Sequence, residues 1–516
     1  MSLRVPRSTE GLPGDPGRAG RAGSEDVPRW SRGWLRVGGG LLALGAIAAC
    51  AAYAWHLHRR GYIESIVVLP FADLTPEKNQ EWLAAGVAEG IIDSLTRIPG
   101  LRVAGRNSAF YFENKPQDAE RIAEQLGVSA VLTGTVRRSA DRLRVTVELN
   151  RPADSYRFWS HTFDRPVRDI LSIQYEIAGD IRHLVRHAKD GPKPPLHRPT
   201  PQAYSAYLEG RHFIRRGDVQ SLRHAIDRFV QATDADPQYA PAWAWLSIAQ
   251  EYLVQTGSVR PNEMMPGARD AGERAVALDA DASESHAALG IVKLQYDWEW
   301  DDAKREFDRA LELSPGSAFI RSWRGHWFES QGRTDEALAD LQKALDVDPL
   351  SAVVLTDISA AYCYRGQADL AIQFAQKAVE LYPDAAFARI ALLRAFTAAR
   401  QTEKSRATLR ELEASPMRAD VTPRMMAELT AFSGDIGRVD AMLETAAEVR
   451  SKGYVPAFGF ALVSAAINET PSAFEWLDAA YDERSVQMPY WRLQVAVPKN
   501  DSRYSDLEAR MSLTGQ

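Results

Sequence analysis

Two groups of side chains in this 516-residue sequence have the types and spacing that could bind a metal ion. His183 and His187 stand four apart in a stretch with helical patterning, and Asp180 could add a carboxylate to the two imidazoles, a donor set suited to zinc. The run Asp297-Trp298-Glu299-Trp300-Asp301-Asp302 crowds carboxylates together as a cation site would. Each group also has a plainer explanation. The histidines read as the solvated face of a helix beside a basic linker, and the acidic run falls at a turn between helices, where Asp caps the next helix. Other chemistries have no linear signature. No lysine follows a glycine, which excludes the phosphate-binding P-loop, and none of the ten histidines is followed by Glu, which excludes the zinc-protease helix. There is no Gly-x-Ser-x-Gly elbow and no G-x-G-x-x-G turn. The two cysteines, Cys50 and Cys363, make neither a disulfide framework nor a metal quartet. The expectation is a protein that is not an enzyme and holds no cofactor or metal, with no small-molecule substrate evident.

Composition narrows the partners. The chain is too long for one core of ordinary size. With 45% hydrophobic and 25% charged residues most of it must fold. A formal net charge of −6 provides no general attraction for a phosphate backbone, so nucleic acid is not expected as a partner.

Residues 1–33 are dense in Gly, Pro and Arg and cannot bury enough surface to offset the entropy of ordering, which marks them as a disordered tail. Val37 to Trp55 then run for 19 residues without a charge. That is close to the ~20 residues a helix needs to cross a bilayer. Trp34, Tyr53 and Trp55 stand at headgroup level with basic residues just outside, and a transmembrane helix is expected over 34–57. Arg18, Arg21, Arg29, Arg32 and Arg36 outnumber Arg59 and Arg60, which puts the N-terminus in the cytoplasm. In a bacterium the rest of the chain would then lie in the periplasm, anchored to the inner membrane. A competing reading takes Ile47-Ala48-Ala49-Cys50 as a lipoprotein cleavage box, but the apolar run continues past Cys50.

Residues 62–188 read as an α/β module. SIVVLPF from Ser65 is a buried strand, and Glu81 to Ile98 carries apolar residues at helical spacing until Pro99-Gly100 stops it. A strand from Leu101 and a helix from Gln117 to Leu126 follow, then three alternating runs that fit a meander, then a helix from Val167 to His187. Residues 189–201 form a Pro-rich linker. The series IVVLPF, GVAEGIIDSLTRIPGLRVAGRNSAF, AEQLGVSAVLTGTVRR and FWSHTFDR resembles the TolB-like α/β domain found in CadC-like membrane regulators and in some adenylate cyclases. The resemblance implies an extracytoplasmic domain ahead of helical repeats. The DNA-binding or cyclase domain of those families is not expected here, because the 36 residues before the span are too few to fold one.

Across 202–485 the dominant feature is a period. Asp281, Pro315, Pro349 and Pro383 are spaced by 34. Ala303, Ala337 and Ala371 lie 12 before the prolines, Ala310, Ala344 and Ala378 lie five before, and Gly332 and Gly366 mark the turns within the repeats. FDRALELSP, LQKALDVDP and AQKAVELYP resemble the second helix and exit turn of tetratricopeptide (TPR) repeats. The expected fold is thus an α/β module followed by an all-α superhelical solenoid of about eight TPR helix pairs, with one N-terminal transmembrane helix. The ten surplus residues before Asp281 are expected in a polar loop, Thr256 to Gly267. AFEWLDAAYDERS resembles a closing repeat, with 486–516 as the C-terminal cap or tail. In such an array the first helices line one groove, and Tyr296, Trp323, His326, Asp357, Tyr364 and Arg394 fall at groove-facing positions that suit a peptide or protein partner. Trp323 and Tyr364 have packing between helices as their alternative. The function expected is a membrane-anchored scaffold or sensor, or alternatively a signalling subunit working with a separate cytoplasmic output protein.

Overall fold

The computed structural model describes residues 62–513 except 77–79, 114, 116, 153–155 and 186–196. The tail expected over 1–33, the span over 34–57, Cys50, His187 and most of the linker lie outside the described residues. Among the described residues no helix is long and apolar enough to cross a membrane.

The first elements build a six-stranded sheet. Strands β1 (Ser65–Val68), β2 (Ala72–Asp73), β3 (Arg102–Val103), β4 (Ala130–Ser139), β5 (Arg142–Arg151) and β6 (Tyr156–Pro166) are ordered β3-β1-β4-β5-β6. β1 runs parallel to β3 and β4, while β5 and β6 close an antiparallel meander. The expected strand through Phe71 is interrupted at Pro70, which lacks the N–H a ladder needs, and resumes as β2 against the far end of β4. Helix α1 (Glu81–Leu95) buries Leu83, Val87, Ile91, Ile92 and Leu95. A five-residue helix α2 (Arg106–Phe110), which the apolar spacing did not announce, follows β3. α3 (Ala119–Leu126) starts where the Asp118 carboxylate accepts from Arg121 N–H and ends at Gly127, whose φ of 59° is left-handed. α4 (Ile170–His183) packs beside α1.

Eight antiparallel helix pairs follow, from Pro201–Ile214 with Val219–Ala235 to Ala457–Ala466 with Thr470–Asp482. Thr200 caps the first helix through its hydroxyl, and Pro201 sits at the first position, where an N–H would go unused. The spacing of small residues has a direct structural cause. Ala303, Ala310, Ala337, Ala344, Ala371 and Ala378 are all at 0% exposure, pressed between the helices of each pair. Gly332 and Gly366 turn the chain at φ of 73° and 75°, a region that costs other residues free energy.

Three expectations need correction. Pro261–Leu278 is one helix, so the ten surplus residues lengthen the second pair and do not form a loop there. Pro261 at its first position starts it without losing a backbone bond. The acidic run does not cap the helix Trp300–Leu313, whose N-cap is Glu299 with no side-chain bond. Asp297 instead pairs with Arg269, while Glu299 and Asp302 pair with Lys293 at 2.5 and 3.4 Å. Finally, the end of the array is not an exposed polar cap. Pro456, just ahead of the eighth pair, meets Gly257, and the Asn262 amide donates to the Asp482 carbonyl at 3.3 Å, so the eighth pair returns to the second.

Residues 62–516 form a single compact unit. One hydrophobic core runs from Ile63 through the sheet, the first repeats, Trp327 and Trp491 to Leu513.

Substituting Ala344→Leu forces extra methylenes between two helices at a position with no room, so the full-length chain should lose about 1–3 kcal/mol of stability. A denaturant melt of that variant, with unchanged secondary structure by circular dichroism, checks it.

Candidate binding cleft between the helical array and the sheet module

Two buried carboxylates hold the sheet module across the inner side of the array. Glu89 on α1 is 3% exposed and lies 2.8 Å from the Arg106 guanidinium and 3.3 Å from that of Arg211, on the first repeat helix. Arg211 also meets Asp93 at 3.3 Å and lies 4.0 Å from the Trp245 ring. Further along, the Asp348 carboxylate accepts from the Ser108 N–H at 2.6 Å and the Asn107 amide at 2.9 Å. The Ser108 hydroxyl in turn accepts from Leu350 N–H at 2.9 Å. α2 is thereby tied to the turn after the fourth pair. At the near end, Gln174 on α4 donates to the Gly86 carbonyl and accepts from the Tyr204 hydroxyl.

The C-terminal segment provides a second wall. The turn Met488–Tyr490 and helix Trp491–Gln494 pack back into the array, with Met488 and Trp491 fully buried. Gln295 donates to the Tyr490 hydroxyl at 3.1 Å, Gln494 donates to that of Tyr364 at 3.1 Å, and Arg492 donates to the Ser330 carbonyl at 3.0 Å. Beyond it the Trp300 indole donates to the Met511 carbonyl at 2.9 Å.

Between these walls lies a cleft of about 1350 Å³. Its floor is made by first helices of the pairs, Ala240–Gln255, Ala318–Ser330 and Ala352–Tyr364, and its sides by α1, α2 and the C-terminal segment. Four of the six residues expected to face the groove line it: Trp323, His326, Asp357 and Tyr364. His326 Nδ1 is 3.0 Å from Glu329 Oε2 and its Nε2 is 3.6 Å from Asp357 Oδ2. Trp323 is buried, with its ring 5.5 Å from that of His326. The other two sit elsewhere. Tyr296 donates to Asn262 at 3.1 Å and carries the Arg269 guanidinium 5.5 Å from its ring, and Arg394 pairs with Glu428 on the helix Pro423–Phe432. Both join neighbouring helices of the array.

Electrostatics divide the cleft. Toward α2 it carries Arg106, Lys115, Arg211 and Arg215, faced by Asp93 and Glu113. The His212 imidazole beside them is pulled down to about 4 by burial and by Arg215 and Arg216. The deeper end is acidic. Burial pulls the His326 imidazole down, but Asp357 and Glu329 outweigh it and hold the ring well above its ordinary value. Behind it Glu251 is at 0% exposure, and burial raises its carboxyl to about 8 while Gln255 donates to it at 2.6 Å.

Glu251, Gln295, Glu329, Tyr490 and Gln494 were absent from the sequence reading. Glu329 stands three after His326 on one helix, a spacing that brings side chains together and could have drawn attention. Tyr490 and Gln494 reach the site from 195 and 130 residues away and left no such trace. Of the metal candidates, Asp180 lies 3.9 Å from His161, and the Arg182 guanidinium lies 3.2 Å from the His183 ring. No cluster of three or more potential metal ligands occurs among the described residues.

The helix pairs, their 34-residue period and the alanines between them define a TPR-type array joined to a small mixed sheet module. No family model matches the chain. A curated protein, "Putative adenylate cyclase 3" of Rhizobium meliloti (strain 1021), is 29% identical over 236 residues, covering 44% of this chain and 40% of that protein. The match thus spans less than half of that relative's length. Among solved structures, TTC0263, a thermophilic TPR protein of Thermus thermophilus, is 20% identical, with 38% of this chain and 98% of that one covered and a TM-score of 0.32. YrrB, a TPR protein with an unusual peptide-binding site, is 23% identical over 36% of this chain and 89% of its own, with a TM-score of 0.24. A human IFIT1 dimer with PPP-AAAA is 15% identical, covers 67% and 79%, and has a TM-score of 0.43.

Glu251 sets a pH dependence. Its folded-state value near 8 lies above the ordinary 4.5. Between these two values the unfolded chain releases a proton that the folded chain retains, so this group's contribution is full below the lower value and lost as pH rises through the upper. In Glu251→Gln that decline should disappear, a relative gain on the order of a few kcal/mol at alkaline pH. Melts of both proteins at acidic and alkaline pH measure it; parallel pH profiles would refute the assignment.

Proposed function

We propose that this chain is a membrane-tethered TPR-type binding protein, a scaffold or sensor, that takes a segment of a protein or peptide partner into the cleft between array and sheet module. The observation that carries this reading is the cleft itself, lined by first helices of the repeats and by both aromatic and charged side chains, including Trp323, His326 and Tyr364. Such a mixture suits anchoring by rings with orientation by polar groups. It acts by binding and not by catalysis. The sheet module is read as TolB-like, from the order of its strand and helix motifs. Residues 34–57 are the anchor, on the apolar run and its aromatic and basic flanks, with the N-terminus cytoplasmic and residues from 62 onward in the periplasm of a bacterium.

A second reading is favoured by the similarity to a protein named as a putative adenylate cyclase. In it the array is the sensing part of a signalling assembly, and a separate cytoplasmic protein supplies the output.

Two experiments test the first reading. A photo-crosslinking residue placed at Val353, which lines the cleft and is 53% exposed, should trap a discrete partner in living cells. The same residue at Val230 on the helix Val219–Ala235, outside the cleft lining, should not. Equal labelling at both positions, or none at either, argues against a cleft-bound partner. Topology reporters fused after residue 60 and at the C-terminus should be active only where an extracytoplasmic environment is required. Activity from the cytoplasm-specific reporter alone would reverse the orientation.

A further inference from the structure

We propose that the deep end of the cleft is a cation subsite that accepts a primary ammonium or guanidinium group, carried by a free amine or by a lysine or arginine side chain of a partner. It rests on the binding reading above and specifies the chemistry of what is bound.

The first support is the kind of polar atom left without a partner. Glu329 Oε1 and Gln295 Oε1 are buried, line the cleft with their residues, and have no hydrogen-bond partner in the protein, while Asp357 Oδ2 has only the His326 ring, at 3.6 Å. Glu329 and Gln295 are 4% and 3% exposed. All three atoms are acceptors, and buried acceptors without a donor are costly. The side-chain amide and guanidinium donors nearby are committed elsewhere. The Gln295 amide donates to Tyr490, that of Gln494 to Tyr364 and that of Gln255 to Glu251. Arg394 pairs with Glu428. A ligand that brings N–H bonds would satisfy these acceptors.

The second support is charge. One imidazolium, His326, lies between two carboxylates, with Nδ1 3.0 Å from Glu329 and Nε2 3.6 Å from Asp357. The local balance is short of positive charge, and a buried carboxylate is stabilised by a paired cation far more than by a neutral donor.

The third support is the wall. Trp323, Tyr364 and Tyr490 surround the same groups, with the Tyr490 ring 6.2 Å from that of His326. Aromatic faces attract cations. Acidic and aromatic groups on four different segments, Ala240–Gln255, Ala318–Ser330, Ala352–Tyr364 and the C-terminal turn, converge here.

The test uses the full-length chain in detergent micelles and titration calorimetry. Agmatine should bind at least about tenfold more tightly than 1-pentanol. In a second arm, the peptide Gly-Gly-Ser-Lys-Ser-Gly-Gly should show the same preference over its norleucine counterpart. Binding in the first arm alone assigns the subsite to free amines, and binding in the second alone assigns it to a partner's side chain; both outcomes support it. Glu329→Gln and Asp357→Asn should each weaken the charged probe by about tenfold or more. Asp301→Asn, an exposed acid outside the cleft lining, should leave binding unchanged. If either cleft variant fails to fold, the preference of the wild-type chain for charged over neutral probes decides alone. Equal affinity for charged and neutral probes, no binding of either, or full affinity in folded variants overturns the proposal. Such a failure alongside successful crosslinking at Val353 would refute only the cation chemistry and leave the partner reading standing.

Discussion

Glu89 is the residue on which the arrangement of the two parts depends. Its carboxylate is buried between the guanidinium groups of Arg106, from the sheet module, and Arg211, from the first repeat helix. A buried carboxylate with its partners removed is severely destabilising, and without Glu89 the Arg106 guanidinium would lose its carboxylate while Arg211 kept only Asp93. The interaction therefore specifies more than it stabilises: it dictates which face of α1 meets the array. With that face in place, α2 comes within reach of Asp348, and the module spans from the first pair to the fourth. An open solenoid becomes a cleft with a roof.

The C-terminal segment completes the enclosure by a different kind of force. Met488 and Trp491 bury apolar surface in the array, while Gln295, Tyr364 and Ser330 meet the polar groups of the segment. Apolar burial supplies the driving force and the hydrogen bonds select the register. Because the eighth pair also returns to the second, the array is curved enough for residues near 300 and near 490 to share one core. A repeat protein with open ends distributes stability along a line. Here the ends are joined through the core that runs from Ile63 to Leu513.

The enclosure changes the electrostatics of what it covers. Glu251, Glu329 and Asp357 would be ordinary carboxylates on exposed helix faces. Enclosed with His326 and several rings, they acquire raised proton affinity at Glu251 and a charged imidazole at His326. Desolvation by segments far away in sequence produces these properties, since each helix by itself presents its acids to water.

Much of the fold was legible in the sequence because its causes are local and periodic. Ala337 and Ala344 are small because two helices cross there, Gly332 is glycine because the turn requires positive φ, and Asp118 precedes α3 because its carboxylate completes the first turn. Each leaves its mark within a few residues or at multiples of 34. The strand runs of β4 to β6 were similarly plain from alternation, and the helical period placed Trp323, His326, Asp357 and Tyr364 on first helices of the repeats, where they line the cleft. What the sequence could not convey was which segments close over that groove. Tyr490 approaches Gln295, and Asp348 approaches Ser108, through burial and hydrogen bonds between residues 195 and 240 positions apart. No period or propensity encodes such a pairing. Local chemistry determined the helices, their turns and their inward faces, and only tertiary packing, by desolvating acids that would otherwise face water, decided that one inward face is a cleft with unpaired acceptors at its base.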